Sequence, residues 1–286
     1  MIFEDEYQPP GWIKANLKAV FGRAYPRVIG GNREPSWVFF ETVLPILAVA
    51  AYVYIYKALN APEQYVGYVI IGGAMTAYWM NVLWSMAAQM FWEKEIGNLE
   101  LYMIAPISRM SVLGGMALGG MFTSTVRAVS TIAAGIILFG VNMSLPDPLM
   151  FIGIFVFTMI ALYGMGMMFA SLYMLWGREA WHMSALLTEP IYLISGFYFP
   201  VKGFVTMLGQ PGFWLAAGAS IIPITLGLDG MRQCLYPGTG DGFLPLWIEL
   251  LSLVLLSIMF LILAKLSLEY MEKLGKKEGR LTMRWQ

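Results

Sequence analysis

The sequence predicts an all-α, polytopic membrane protein. It has six transmembrane helices, an interfacial helix ahead of the first, and a re-entrant hairpin between the fifth and sixth. Three observations carry that prediction. The 286 residues are 58% hydrophobic and only 13% charged, where a soluble domain carries about 25% charged residues. Two long stretches, 65–91 and 149–176, contain no charged residue at all. The basic residues are sorted onto one side of the predicted spans. Eighteen Lys and Arg cancel eighteen Asp and Glu, so the chain is no basic nucleic-acid binder, and its low charge excludes a disordered polymer. One cysteine, Cys234, and one histidine, His182, exclude an internal disulfide and any metal site needing a pair of either.

The elements follow in order. Met1 to Gln8 holds Glu4, Asp5 and Glu6 and no basic stretch before an apolar run. No cleaved leader is expected, and this end is placed in the cytoplasm. Residues 1–36 form a cytoplasmic N-terminal region. Within it Ile13, Leu17, Val20, Phe21, Ala24 and Val28 share one helical arc. Lys14, Lys18 and Arg23 lie off that arc. The pattern predicts a helix over 11–29 lying in the inner interface, its basic stems reaching lipid phosphates.

A crossing needs roughly 20 apolar residues. The transmembrane domain, 37–268, supplies six such segments at about 37–57, 65–91, 110–139, 149–176, 183–201 and 243–265. Trp37, Trp92, Trp176 and Trp247 fall near their ends, as expected of rings that favour the headgroup zone. Gly203 to Ile222 is also apolar, but Gly209-Gln210-Pro211-Gly212 breaks it. Neither half spans alone, which predicts an outer re-entrant hairpin. A basic cytoplasmic tail, 269–286, closes the chain. With both ends inside, fourteen of the 18 Lys and Arg are cytoplasmic. Lys57, Lys202 and Arg232 are left outside, together with Asp229, and Arg127 lies within the membrane. That bias sets the orientation and places the protein in the plasma membrane.

Several chemistries are missing. No G-x-x-x-x-G-K-[ST] occurs, so the chain cannot bind ATP through a P-loop, and one histidine cannot build H-E-x-x-H. The Gly238-Thr239-Gly240-Asp241 run superficially matches an intramembrane aspartyl protease, but its Gly/Pro-rich setting reads as a tight turn. Ser195 and His182 do not fit a Ser–His protease. No residue is assigned a catalytic or metal-binding role.

The segment between the second and third spans, Trp92 to Arg109, crowds Glu93, Lys94, Glu95 and Glu100 between two apolar helices. Such a charged cytoplasmic turn reads as a docking element. Its run E-x-E-x-G-x-L-E-x-x-x-x-x-P-I-S-R resembles the corresponding segment of type-2 ABC exporter permeases. Ser195-Gly196-Phe197-Tyr198-Phe199-Pro200 resembles that family's S-G-x-x-F-P. Ile222-Pro223-Ile224-Thr225 with Gly230-Met231-Arg232 resembles its P-x-T and following Arg. Order and spacing agree across nearly the whole chain. Asn98 stands where many relatives carry Thr.

The resemblance implies one half of an ATP-driven exporter. A second permease copy, the same or a related chain, would complete it, and a separate ATP-binding-cassette ATPase would carry ATP and Mg. On that analogy Glu93, Glu95, Gly97, Glu100 and Pro106 form the ATPase-coupling element. Helices two and five flank a pathway that Tyr78, Trp79, Met86, Phe197 and Tyr198 would line. Those aromatic and Met residues point to a lipophilic or amphiphilic cargo of drug, lipid or glycan type. The competing class is a stand-alone channel or secondary transporter, which predicts internal repeats that the sequence does not show.

Four charges fall inside the predicted membrane: Glu41, Arg127, Glu189 and Glu249. A mid-helix Arg costs about 2.5–3.5 kcal/mol to insert, so it faces protein and has a partner. At 1.5 Å per residue, Arg127 and Glu249 both lie about 10 Å below the outer edge, which predicts that they pair. Glu189 enters from the inner side near the expected entrance. Gly115 and Gly119, one turn apart, predict a close helix contact within one protomer.

Overall fold

The computed structural model describes residues 11–31, 33, 35–176 and 179–278. Among them there are helices and connecting turns but no strand. The helices are α1 (Trp12–Gly31), α2 (Pro35–Ala58), α3 (Glu63–Met80), α4 (Gln89–Ile96), α5 (Asn98–Ile104), α6 (Arg109–Phe139), α7 (Pro148–Trp176), α8 (Glu179–Ile194), α9 (Lys202–Leu208), α10 (Gln210–Ala219), α11 (Pro223–Leu235) and α12 (Leu246–Glu278). A π-helical segment, Asn81–Ala87, joins α3 to α4. Together they make one span, Glu63–Ile96.

Four helical stretches are long and apolar enough to cross a membrane: Glu63–Ile96, α6, α7 and α12. They correspond to the second, third, fourth and sixth predicted crossings, with α12 starting at Leu246 instead of 243. The first and fifth, α2 and α8, contribute shorter apolar stretches, Thr42–Ala58 and Ser184–Ile194. α8 has 16 residues, about 24 Å of helix, and stops where Gly196 turns to φ +68°. Ser195 to Pro200, in the remainder of the predicted span, is a non-helical turn whose first three residues are buried and last three half-buried.

The core is organised around α3. From Val66 to Trp79 every residue is buried, because α2, α6 and α11 surround it. A second layer consists of α7 with α12 along it. Close approach at the centre requires glycine: a Cβ on Gly72 would overlap the Phe197 carbonyl.

The predicted hairpin is a pair of short helices. α9 and α10 pack on each other across Gly209, whose φ of +62° reverses the chain where the Gly/Pro break lies. α11 is a correction. No element is predicted between the hairpin and the sixth span, yet Pro223–Leu235 forms a helix bent by 105° from α10 and buried almost throughout. Asp229 and Arg232, expected in water, are 3% and 2% exposed. The prediction failed because α11 presents an apolar stripe too short to register as a span.

α1 packs along α6, and the two glycines mark the seam. A Cβ on Gly115 would stand 2.5 Å from the Val20 carbonyl oxygen, and one on Gly119 2.9 Å from Arg27 Cβ. The contact lies within one protomer, as expected. Asn16 secures the start of α6: its Oδ1 accepts from Ser108 N at 2.7 Å and from Ser111 Oγ at 3.0 Å. The opposite face of α1 exposes Ile13, Leu17, Phe21, Tyr25 and Ile29. Arg23 corrects the expected polarity, since it turns into the protein and not toward phosphates.

The α1–α6 seam makes a direct prediction. Gly115→Leu forces side-chain atoms into the Val20 backbone, and overpacking of this kind costs about 1–3 kcal/mol. The thermal midpoint of the purified protein falls. A disulfide engineered across α1 and α6 forms more slowly than in the parent.

Candidate functional site: the α4–α5 turn and its anchors

α4 ends at Gly97, whose φ of +86° is a left-handed conformation that glycine adopts without strain. The chain therefore turns sharply into α5, and Ala105 to Ser108 lead on to α6. Around this turn the predicted coupling residues separate into two groups.

Glu93 faces inward, 2% exposed. Its Oε1 accepts from Arg23 and from Gln89 Nε2 at 2.7 Å. Its Oε2 accepts from Asn98 Nδ2 at 2.9 Å and from the Tyr102 hydroxyl at 3.2 Å. One carboxylate thus binds α1, α4 and α5 together. The Arg23 guanidinium also lies 5.9 Å from the Tyr102 ring centroid. Burial pushes the Tyr102 phenol above its ordinary range, so it stays a donor. Asn98, the departure from the resembled pattern, is a working member of this network.

The other residues face outward. Glu100 and Pro106 are exposed, and Glu95 and Gly97 are partly so. Beside them Leu101 is 59% and Ile104 80% exposed. Gly97, Glu100, Leu101 and Ile104 share one helical face, while Leu99 packs into the core. Arg109, at the start of α6, pairs with Glu272 of α12 at 3.1 Å, which ties the last helix to the same end of the molecule. Sequence reasoning missed Arg23, Leu101 and Ile104. The i, i+3, i+4 spacing around Glu100 was the available signal.

A second anchor lies one helix turn away. Arg27 of α1 donates to the Ser85 carbonyl at 2.8 Å and to the Ser85 hydroxyl. Ser85 is part of the π-helical segment, where the regular i→i−4 bonding is interrupted. Burial pulls the Arg27 guanidinium down to about 10, so it is charged at neutral pH.

At the opposite end, Arg232 holds four carbonyls. Nη1 donates to Gly196 O at 2.7 Å and Phe199 O at 3.1 Å; Nη2 donates to Phe197 O at 2.7 Å and Tyr68 O at 3.0 Å. Three of these belong to the S-G-F-Y-F-P turn and one to α3. The Gly238–Asp241 run is a turn, with Gly238 and Gly240 at positive φ. Its Asp241 accepts from Gln64 Nε2 at 2.8 Å and Tyr68 OH at 3.1 Å.

The predicted pathway residues are packed inside the protomer. Tyr78, Trp79, Met86 and Phe197 are buried and Tyr198 half-buried. Tyr78 donates to Thr125 Oγ1 at 2.9 Å, and Tyr198 stacks on Tyr52 at 4.0 Å. They lie where α3 forms the centre of the fold. Glu189, by contrast, is exposed on α8, on one face with His182, Leu186 and Leu193. The helices that carry Arg127 and Glu249 have different principal neighbours. α12 lies along α7 while α6 packs on α1 and α3, and Glu249 sits against Gln233 and Asp229 of α11. The side chain of Glu41 lies outside the described residues, as do residues 279–286 of the predicted tail.

A multi-span helical bundle with a charged turn at one end and no nucleotide-binding loop has the architecture of a membrane transport permease. The family model of the ABC-2 type transporter matches residues 28–236, and the chain belongs to that family. It is a multi-pass membrane protein and a transport permease. No curated protein and no solved structure matches it.

The Glu93 network predicts a graded loss. Glu93→Ala strands the half-buried Arg23 and three neutral donors; removing one partner of a fully buried pair costs about 3–5 kcal/mol, and the partial exposure of Arg23 puts the loss below that. Glu93→Gln keeps the shape and costs less. Thermal unfolding of the two variants, compared with the parent, measures the difference.

Proposed function

We propose that this permease is the membrane subunit of an ATP-driven exporter, coupled to a separate ABC ATPase through the α4–α5 turn. The observation that carries the reading is the outward face of α5. Leu101 and Ile104 are large apolar side chains left open beside Glu100, on a turn whose inward face is locked by Glu93. An exposed apolar patch with a charged rim fits a protein partner. ATP and Mg are held on that partner.

In this reading both termini and the α4–α5 turn are cytoplasmic, consistent with the basic residues at that end. A second permease copy, identical or related, faces the first. The exposed α8 face mixes Leu186 and Leu193 with Glu189 and His182, and charged residues avoid lipid. That face therefore suits a water-accessible cleft between two copies. The cargo is a lipophilic or amphiphilic molecule moved out of the cytoplasm or inner leaflet. Coupling works because ATP-driven closure of the partner moves α4–α5, and Glu93 carries the motion to α1. Preferential binding of cargo to one of the two states then gives direction.

Two outcomes test this. Leu101→Asp with Ile104→Asp abolishes co-purification of the ATPase without lowering the thermal midpoint of the permease. Active protein that retains no ATPase and ignores these substitutions overturns the proposal. Glu189→Gln alters transport while assembly survives, as measured by efflux from cells or vesicles at matched expression.

A further inference from the structure

Asp229 of α11 and Glu249 of α12 are buried side by side, 3% and 0% exposed. Their carboxyl groups converge on a single side chain, Gln233. One amide nitrogen serves both: Gln233 Nε2 is 3.3 Å from Asp229 Oδ2 and 3.0 Å from Glu249 Oε1. The same nitrogen is 2.9 Å from the Leu244 carbonyl, so its two hydrogens face three acceptors. Asp229 Oδ2 also accepts from Phe243 N at 2.7 Å. Glu249 Oε2 is buried with no hydrogen-bond donor among the described residues.

Two neighbouring carboxylates cannot both ionise in such a site. The charged and titratable groups nearby are few. Arg232 acts on Asp229, but its terminal nitrogens are committed to four carbonyls. Cys234 of α11 is near Glu249, with Asp147, just ahead of α7, acting on that thiol. α7 itself presents Ile154 to Gly230, which also touches Glu249. One proton resolves the arrangement. Placed on Glu249 Oε2, it supplies the missing donor bond and leaves a single negative charge. That charge rests on Asp229, which has two N–H donors and the nearby arginine.

We propose that Asp229 and Glu249 form a proton-binding site in which Glu249 carries the proton and donates it to the Asp229 carboxylate. A cavity of about 480 Å³, lined by Lys202, Gln233, Tyr236 and Leu244 among others, reaches Gln233, the side chain bonded to both carboxyl groups, and exchange with solvent would pass by that residue. Losing the proton sets two like charges between α11 and α12. α11 also carries Arg232, so deprotonation loosens the helix that clasps the end of α8 to α3.

Infrared spectroscopy of the full chain in lipid nanodiscs tests the site. Ordinary Asp and Glu are ionised at pH 7. The expected result is a carboxylic-acid carbonyl band that persists at pH 7 and shifts in D₂O. It disappears in Glu249→Gln and survives in Glu189→Gln. Because an amide mimics the neutral acid, Glu249→Gln has a thermal midpoint at pH 7 equal to or above the parent's. Absence of the band in the parent overturns the proposal, as does a band unaffected by Glu249→Gln. A Glu249→Gln chain that fails to fold overturns it too, since a charged carboxylate would then be required. Stabilisation by sodium over choline at fixed pH, lost in Glu249→Gln, replaces the proton by a metal cation and also overturns it.

Discussion

Arg232 meets a demand that the rest of this structure obeys. In a membrane, backbone carbonyls released where a helix stops must find donors inside the protein. Four carbonyls at the α8 terminus and on α3 converge on one guanidinium. Arginine suits the task because it offers five N–H donors in a rigid fork and remains charged when buried. Without it the S-G-F-Y-F-P turn would leave polar backbone uncompensated in the core. The turn would also lose its register against Gly72, where Phe197 approaches α3 most closely.

Arg27 does the same work at the other end. The π-helical segment interrupts the bonding of the long Glu63–Ile96 span, and Arg27 reaches the Ser85 carbonyl there. Arg23, one helical turn earlier, meets Glu93. The two arginines make α1 a brace bolted to the joint of the span and to the turn below it. Its other face leaves Ile13, Leu17, Phe21, Tyr25 and Ile29 exposed. A rigid turn with an outward apolar patch and an inward carboxylate can transmit force, since its outer face moves only with α1 and α4.

Much of this was legible in the sequence, and particular residues show why the rest was not. Charge-free apolar runs reveal α3 and α7 because the bilayer demands length and hydrophobicity. The two glycines at 115 and 119 announce a close contact, although not that α1 makes it. α11 escaped because thirteen residues satisfy no span rule, and Arg232 looked like a solvated loop charge. Burial of an arginine depends on carbonyls supplied by residues about 35 and 164 positions away in the chain. Tyr78 and Trp79 carry no local sign of their burial, because aromatic residues fill both cores and channels.

The sequence by itself determined the membrane class, the apolar spans, the broken segment at Gly209 and the charged turn between the second and third spans. These follow from composition and local pattern, which act over a few turns of helix. Tertiary structure decided which face each charge presents. It turned Glu93 inward, left Leu101 and Ile104 outward, and brought Glu249 and Asp229 to the same glutamine, Gln233. The reason is physical: a buried charge is stabilised by partners on other helices, and no local pattern encodes which helix will be adjacent.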